Sequence, residues 1–479
     1  CYGKLACMQT VADALANLES STSSPLLTEL GEKFTKAGFE IALVGGPVRD
    51  AFLGRISPDL DFTTSAYPDD ILKILKGWAS NTWDVGREFG TIAATIDGQQ
   101  VEITTYRADS YDKQTRKPTV EFGDDLESDL IRRDFAVNSM ALRLPDRVFV
   151  DPHGGLQDLL EKRLKTPTDP EISFSDDPLR MMRACRFASQ LGFDIDIDTF
   201  QAMMSMAERI NIISQERIRD ELTKLLLSDR PRLGLTALVD SGIADIVLPE
   251  LPALKLESDE HHHHKDVYQH TLTVLEQSID YEGDYGLEKD LISRLAALLH
   301  DIGKPATKRL EPGGAVTFYH HDVVGAKLAK KRLKELRFDN DTIKAVSLLI
   351  ELHLRFFGYS DQQWSDSAVR RYVRDAGEQL ARLHILTRSD VTTRNKRKAE
   401  RLAFAYDDLE QRIREISEKE ELNAMRPDLN GEQIMEILDI KAGPEVGSAY
   451  KFLLELRIEN GPLGEEEARK RLLEWWSAR

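Results

Sequence analysis

The chain has 479 residues and a formal net charge of −18, enough length for roughly three packed units of about 150 residues. That acidity excludes indiscriminate attraction to nucleic acid or anionic membrane, and no window has the long uncharged apolar run of a membrane span or a basic-then-apolar leader, so the sequence reads as cytoplasmic with no membrane partner. The cysteines, Cys1, Cys7 and Cys185, are odd in number and lack metal-ligand spacing, which argues against a disulfide framework or a thiolate zinc site.

Residues 1–38 read as an N-terminal helical extension. From 39 to 168, short β-rich runs (IALV, LDFTT, TIAATI, VEITTY, RVFVD) mix with a helical one, PDDILKILKGWA, the pattern of a small α/β domain around a sheet. Gly45 and Gly46 follow the first strand and open the helix carrying Arg49 and Asp50. Bare backbone N–H groups at that positive helix end can approach a triphosphate. In the next strand Asp59 and Asp61 stand i, i+2, on one face with Cα atoms about 6.5–7 Å apart, while Leu60 and Phe62 turn to the core. Two like charges side by side are costly unless a cation lies between them, and two divalent ions about 3.5–4 Å apart are the usual occupants in phosphoryl transfer. Magnesium suits such oxygen ligands. Glu102, alternating with Val101 and Ile103, is a candidate third carboxylate from a neighbouring strand. A glycine turn, an Asp cap and a polar strand face would each explain one feature; the conjunction favours the chemical reading.

From 169 to 245 helical periodicity dominates. DPLRMMRACRFASQLGF, TFQAMMSMAERI and QERIRDELTKLLLS are predicted amphipathic helices opened by Asp or Ser, the first closed by Gly192. Asp177 and Arg180, spaced i, i+3, are expected on one helix face. A carboxylate accepts from the exocyclic amine of C or A while a guanidinium donates to the adjacent ring nitrogen; U and G oppose both contacts. Such a pair selects C and A without a template, each good match being worth about 1–3 kcal/mol. For an isolated D-x-x-R the default reading is an intrahelical ion pair worth about 0.3–0.5 kcal/mol, and only the family likeness given below favours base selection. Arg217 and Glu221, i, i+4, buttress that surface.

A polar, broken stretch around LPALKLESDEHHHHK sets a boundary near 245, and its histidine run reads as solvated rather than ligating. A second helical block spans 246–405. There LISRLAALLHDIGKP ends an apolar helix on His300 and Asp301, by itself more often a structural pair, with His270 upstream and His321, His353 and Asp390 downstream. Basic runs at 327–337 and 394–401 read first as solvated helix faces, although their recurrence keeps a binding track open. In a helical tail, 406–479, Gly443 and Gly447 flank a helix start that either offers N–H groups to an RNA phosphate or is a plain turn.

GGPVRD, PDLDF, VEITTYR, RRDFAVNSMA, DPHGGLQDL, DDPLRMMRACRFA and QERIRDEL, in this order, resemble the successive motifs of bacterial-type (class II) CCA-adding tRNA nucleotidyltransferases and their poly(A) polymerase relatives. The resemblance covers about residues 40–240 in detail and implies an α+β fold: a DNA polymerase beta-like nucleotidyltransferase sheet domain, an all-α neck, an HD-type helical domain and a helical tail. It implies template-independent addition of C, C and A to a tRNA 3′ end from CTP and ATP, with Asp59 and Asp61 catalytic and holding Mg2+. Nucleotide contacts would come from Gly45, Gly46, Arg49, Asp50, Arg87, Arg132, Arg133, Asp134, Asn138, Asp177, Arg180, Arg183 and Arg186. RNA contacts would come from Arg217, Gly443 and Gly447. The loop from Arg107 to Asp124, with Arg116, resembles the family's mobile segment. Asp176 stands where the family usually has Glu, but the paired Asp177 and Arg180 remain.

The second block is similar to the HD metal-dependent phosphohydrolases. That likeness implies one metal on His270, His300, Asp301 and Asp390, and a second on His321 and His353; such mixed ligands fit Mn, Fe, Ni or Zn. In the family such a domain is associated with phosphatase or phosphodiesterase action on phosphorylated RNA ends and nucleotides. The expected assembly is a monomer or homodimer. Two alternatives stay open: a poly(A) polymerase or an enzyme adding only CC or A, and an HD phosphohydrolase with an RNA-binding N-terminal module. RNA binding alone gains nothing from the juxtaposed Asp59 and Asp61.

Overall fold

Seven strands build one mixed sheet in the order β3-β4-β5-β2-β1-β6-β7. They are β1 (Ile41–Val44), β2 (Leu60–Thr64), β3 (Asn81–Trp83), β4 (Thr91–Ile96), β5 (Gln99–Thr105), β6 (Ala141–Leu144) and β7 (Val148–Val150). Only β2 and β5 pair in parallel; the other neighbours are antiparallel. The computed structural model describes residues 10–479 except 58, 85, 108–122, 124, 256–266, 313–315, 357, 360–363, 392–395 and 421–425. Arg116 and the histidine run at 261–264 lie outside the described residues.

The strand patterns explain which face is covered. In β4 and β5, Ile92, Ala94, Ile96, Val101 and Ile103 are fully buried, while Thr91, Ala93, Thr95, Gln100 and Glu102 stay on the opposite, more open face. Period-two alternation of this kind pins the register, because a one-residue slip would exchange the faces. Asp97 and Gly98 join the two strands with φ of 50° and 79°, as a tight Asp-Gly hairpin requires. β3 and β6 were not singled out by the sequence: β3 is an exposed edge of three residues, and β6 is a short, mostly buried run without clear alternation.

The chain divides into two compact units, the first ending at Pro249 and the second starting at Glu250. In the first, the sheet is followed by helices Pro170–Asp176, Leu179–Phe187, Ile197–Met206, Gln215–Leu226 and Pro231–Asp240. The predicted helix opening at Asp177 is a correction in detail. Asp177 is extended (φ −140°, ψ 100°) and separates two helices, because the residue before a proline is disfavoured in the α region.

Among its described residues the second unit is helical apart from one two-stranded ribbon, Arg309–Leu310 with Val316–Thr317. Helix Lys396–Glu420 runs unbroken through position 405, where the sequence reading had placed a boundary. The tail helices Gly431–Leu438, Pro444–Asn460 and Glu465–Ser477 close on their own core of Leu429, Ile434, Leu438, Ala449, Leu453, Ala468 and Leu472. No helix among the described residues is long and apolar enough to cross a membrane.

Helices Val267–Glu282 and Leu291–Leu299 are clamped by a buried ion pair. Arg294 Nε and Nη2 donate to the two Glu282 oxygens at 2.7 and 2.8 Å, and Glu282 also accepts from the N–H groups of Lys289 and Asp290. Removing one partner of a buried pair strands the other charge at a cost of about 3–5 kcal/mol. Arg294→Ala is therefore expected to lower the urea unfolding midpoint of this unit; an unshifted midpoint would show that the clamp contributes nothing.

Candidate active site and metal centre

In the first unit, strand register sets the carboxylates. Asp61 on β2 lies directly opposite Glu102 on β5, and paired residues share one face. Asp59, just before β2, is exposed and Asp61 is half-buried. Burial raises the Asp61 carboxyl above the ordinary range; Glu102 and Asp59 push the same way and Arg133 opposes them. Such crowding of like charges fits a divalent cation, which relieves the repulsion.

Beside this row lies a cavity of about 440 Å³ lined by Gly45, Gly46, Arg49, Asp61, Arg133, Asp134, Asn138, Asp177, Leu179, Arg180, Arg183, Phe187 and Arg217. Five guanidinium groups against three carboxylates make it locally positive in a chain of net charge −18. The glycine turn has a steric reason: Gly45 has φ +74°, and a Cβ there would meet Arg133 Nη1 at 3.0 Å. It opens helix Gly46–Phe52, whose Arg49 bonds Asp50 Oδ1 at 2.8 and 2.9 Å and Asn138 Oδ1 at 2.7 Å.

Four of the five arginines that line the cavity, Arg49, Arg133, Arg183 and Arg217, bond a carboxylate. Arg183 Nε donates to Asp134 Oδ2 at 2.8 Å, and Asn138 Nδ2 donates to Asp134 Oδ1 at 2.9 Å. Although burial opposes ionisation of Asp134, Arg183 and Asn138 hold its carboxyl well below the usual range. Arg186, outside the cavity lining, donates to Glu221 at 2.6 Å and lies 4.0 Å over the Phe187 ring. Phe187 and Ser173 were not singled out in the sequence, because a Phe or Ser in an amphipathic helix carries no distinguishing signal.

Asp177 and Arg180 line the same cavity but form no ion pair with each other. Arg180 donates to Ser173 Oγ at 2.9 Å and to the Arg132 carbonyl at 2.5 Å. Asp177 instead accepts from Arg217 Nη2 at 2.8 Å and from Leu179 N–H at 3.1 Å. Arg217, expected to touch RNA, thus lines the nucleotide-sized cavity, and Glu221 bonds Arg186 rather than joining Arg217. Arg87 stands apart from the lining and donates to Asp69. Gly443 precedes helix Pro444–Asn460 in extended conformation and Gly447 lies within its early turns, with open space where a Cβ would go.

In the second unit five helices present six ligand candidates. His300, His353 and Asp390 stand at helix C-termini, His270 lies within Val267–Glu282, and His321 begins His321–Glu335. The last carbonyls of a helix lack intrahelical partners, and two histidines use them: His300 Nδ1 meets the Ala297 carbonyl at 2.8 Å and His353 Nδ1 the Ile350 carbonyl at 2.6 Å. His321 Nδ1 meets the Phe318 carbonyl at 2.8 Å. Each bond places the proton on Nδ1 and aims Nε2 as a ligand.

Those Nε2 atoms converge in two groups, His270 with His300 and Asp390, and Asp301 with His321 and His353, ligand atoms within 4.8 Å in each. Asp301 belongs to both neighbourhoods: its Oδ2 lies 3.2 Å from His300 and 3.5 Å from His270, and its Oδ1 3.4 Å from His321. His300 Nε2 and His353 Nε2 are buried without a hydrogen-bond partner, so the donor set fits metal ions, which these histidines, Asp301 and Asp390 would hold. Burial would keep His300 neutral, but Asp301 and Asp390 push it up to about 10. Burial, followed by the charge of His300, pushes His353 down to about 4. Lys304 donates to Asp301 Oδ2 at 2.6 Å, a contact the sequence reading missed although Lys304 follows the His-Asp pair by three residues.

Three stretches of the chain match known protein families. Residues 41–165 match "Poly A polymerase head domain", residues 192–254 "Probable RNA and SrmB- binding site of polymerase A", and residues 267–395 "HD domain". The chain is 33% identical to the A-adding tRNA nucleotidyltransferase of Deinococcus radiodurans over 91% of its own length and 95% of that protein. It is 32% identical to the CCA-adding enzyme of Lactococcus lactis subsp. cremoris over 91% and 92%. In fold it resembles the Bacillus stearothermophilus CCA-adding enzyme solved with CTP (TM-score 0.69, 22% identity, 96% of this chain and 98% of that one). The Thermotoga maritima CCA-adding enzyme complexed with tRNA gives a TM-score of 0.62 at 19% identity, over 96% and 98%.

Close packing at the second centre depends on Gly303, where a Cβ would sit 2.1 Å from the His321 carbonyl oxygen. Gly303→Ala is expected to displace His321 from Asp301. In an Asp59→Ala, Asp61→Ala background, where ions held by those carboxylates are not counted, elemental analysis after loading with Mn2+ should fall from about two ions per chain to one or fewer; retention of both would show that ion binding does not depend on this close packing.

Proposed function

The chain belongs to the family of tRNA nucleotidyltransferases that includes A-adding and CCA-adding enzymes, and from that premise we propose that it extends the 3′ end of tRNA with C, C and A from CTP and ATP. The observation that carries this reading is the positive cavity beside the Asp59, Asp61 and Glu102 carboxylates. Magnesium held by Asp59 and Asp61 would supply Lewis-acid activation of the RNA 3′-hydroxyl and neutralise the triphosphate. Arg49, Arg133 and the N–H groups of the Gly45–Gly46 turn suit the phosphates. Asp134 and Asn138, already tied together, suit the ribose.

Base choice falls to Asp177 and Arg180, with Arg217 orienting the Asp177 carboxylate through its 2.8 Å bond. Arg180 is fixed by Ser173 and the Arg132 carbonyl, so its remaining donors are pre-aimed. A carboxylate and a guanidinium presented this way accept C and A and refuse U and G. The finer partition follows the same logic: nucleotidyl transfer in 39–168, base and RNA contacts in 169–245, metal-dependent phosphohydrolysis in the helices that follow, and a tail of the helices from Gly431 onward. A second reading, addition of A alone, is favoured by the similarity to the Deinococcus radiodurans A-adding enzyme across nearly all of that protein.

Incubation with transcripts ending before CCA or after CC, plus CTP, ATP and magnesium, separates these readings. Termination at CCA on the first transcript is the expected result. Extension of the CC transcript alone would mark an A-adding enzyme, and long A tails a poly(A) polymerase. Asp59→Ala is expected to abolish addition while leaving any hydrolysis at the His300–Asp301 centre intact; joint loss would refute two independent sites. Asp177→Ala should lower discrimination against UTP and GTP about 5- to 150-fold, the equivalent of about 1–3 kcal/mol, with little change in triphosphate affinity.

A further inference from the structure

One register row crosses the open face of the sheet from the carboxylates to an aromatic edge. Asp61 faces Glu102, Glu102 faces Ala93, and Ala93 faces Trp83. Directly paired residues point to the same side, and strands lie about 4.8 Å apart, so Trp83 stands about 14 Å from Asp61 along the row. Along it lies a second cavity of about 460 Å³, lined by Trp83, Gly86, Phe89, Thr91, Ala93, Glu102 and Arg107. It shares no lining residue with the cavity at Gly45.

The chemistry of this groove differs from that of the triphosphate cavity. Among its described lining residues it has one guanidinium and one carboxylate, against five and three in the cavity at Gly45. It also presents two large rings, Trp83 and Phe89, that are 41% and 46% exposed and meet no other ring or cation among the described residues. Arg107 is anchored beside them, its Nη2 donating to the Phe89 carbonyl and to Thr91 Oγ1 at 3.3 Å. Exposed aromatic faces with a fixed cation are the elements that hold single-stranded nucleic acid. Because every base has a π-face, stacking tolerates any base, which suits an acceptor whose last base changes with each addition.

We propose that this groove docks the 3′-terminal nucleotides of the RNA acceptor, with bases on Trp83 and Phe89, a backbone phosphate at Arg107 and the last ribose toward Glu102 and Asp61. The assignment rests on the nucleotidyl-transfer reading and extends it to a site for the second substrate. Trp83 and Phe89 act as positioning residues: they hold the acceptor while the reacting atoms lie at the carboxylates.

The test is steady-state incorporation of CTP into a tRNA transcript lacking its last three nucleotides, with Trp83→Ala, Phe89→Ala, the double variant and Trp83→Phe. Loss of one stacking face should raise the KM for RNA about fivefold or more, with the KM for CTP unmoved, and Trp83→Phe should restore most of it. An acceptor with abasic ribose at its last two positions should bind the native protein as poorly as the double variant binds the intact RNA, and the two defects should not add. Urea midpoints equal to the native value verify that the variants fold. An active double variant with unchanged KM for RNA, or an equal rise for RNA and CTP, overturns the groove alone. A native protein that extends no transcript overturns the nucleotidyl-transfer reading and the groove with it.

Discussion

Asp61 and Glu102 are held side by side by the parallel register of β2 and β5, which puts two like charges on one face of the sheet. Alternation along β5 buries Val101 and Ile103, so Glu102 cannot turn away without exchanging the core face for solvent. Asp61 is partly withdrawn from water, which makes its charge still less favourable. The compensation within the protein is the positive charge of Arg133, and a divalent cation would add to it. A sheet that binds apolar residues on one face has in this way been made to display a charge conflict on the other.

The second unit solves a related problem with different chemistry. Its carboxylate, Asp301, is 1% exposed and sits among three imidazoles. Backbone carbonyls at helix ends take the Nδ1 protons of His300 and His353, turning an unavoidable feature of helix termini into orientation of ligands. The Glu282–Arg294 clamp joins the helix bearing His270 to the one leading into His300. Gly303 removes the side chain that would keep His321 at a distance. Ligand geometry here is a packing property of helices rather than of a local motif.

The cavity at Gly45 concentrates positive charge in an acidic chain. Arg183, Arg186 and Arg217 each bond a carboxylate, so their side chains are held in place before any ligand arrives. Exposed pairs of this kind add little stability; Asp177 with Arg217, half of it open to solvent, is better understood as fixing direction. The buried Asp134, shared by Arg183 and Asn138, does the same where water is excluded and a charge-assisted bond is stronger.

Local chemistry was legible in the sequence because it depends on residues close together in the chain. Asp59 and Asp61 share a face through the two-residue period of a strand, Gly45 opens a helix because only glycine tolerates its positive φ with Arg133 so near, and the apolar run before His300 reads as a helix ending in a His-Asp pair. The same local reasoning put Asp177 on one helix face with Arg180, whereas Asp177 precedes that helix and is kept extended before Pro178. Relations between distant segments stayed hidden: the register that sets Asp61 beside Glu102, the partnership of Asp177 with Arg217 across 40 residues, the two-sided use of Asp301, and the row that leads from the carboxylates to Trp83. By itself the sequence determined which residues carry charge, ligand nitrogen or stacking surface and which short elements hold them. Only the tertiary structure decided which of these groups meet, because strand register, helix packing and the competition among carboxylates for each guanidinium are settled when the whole chain closes on its core.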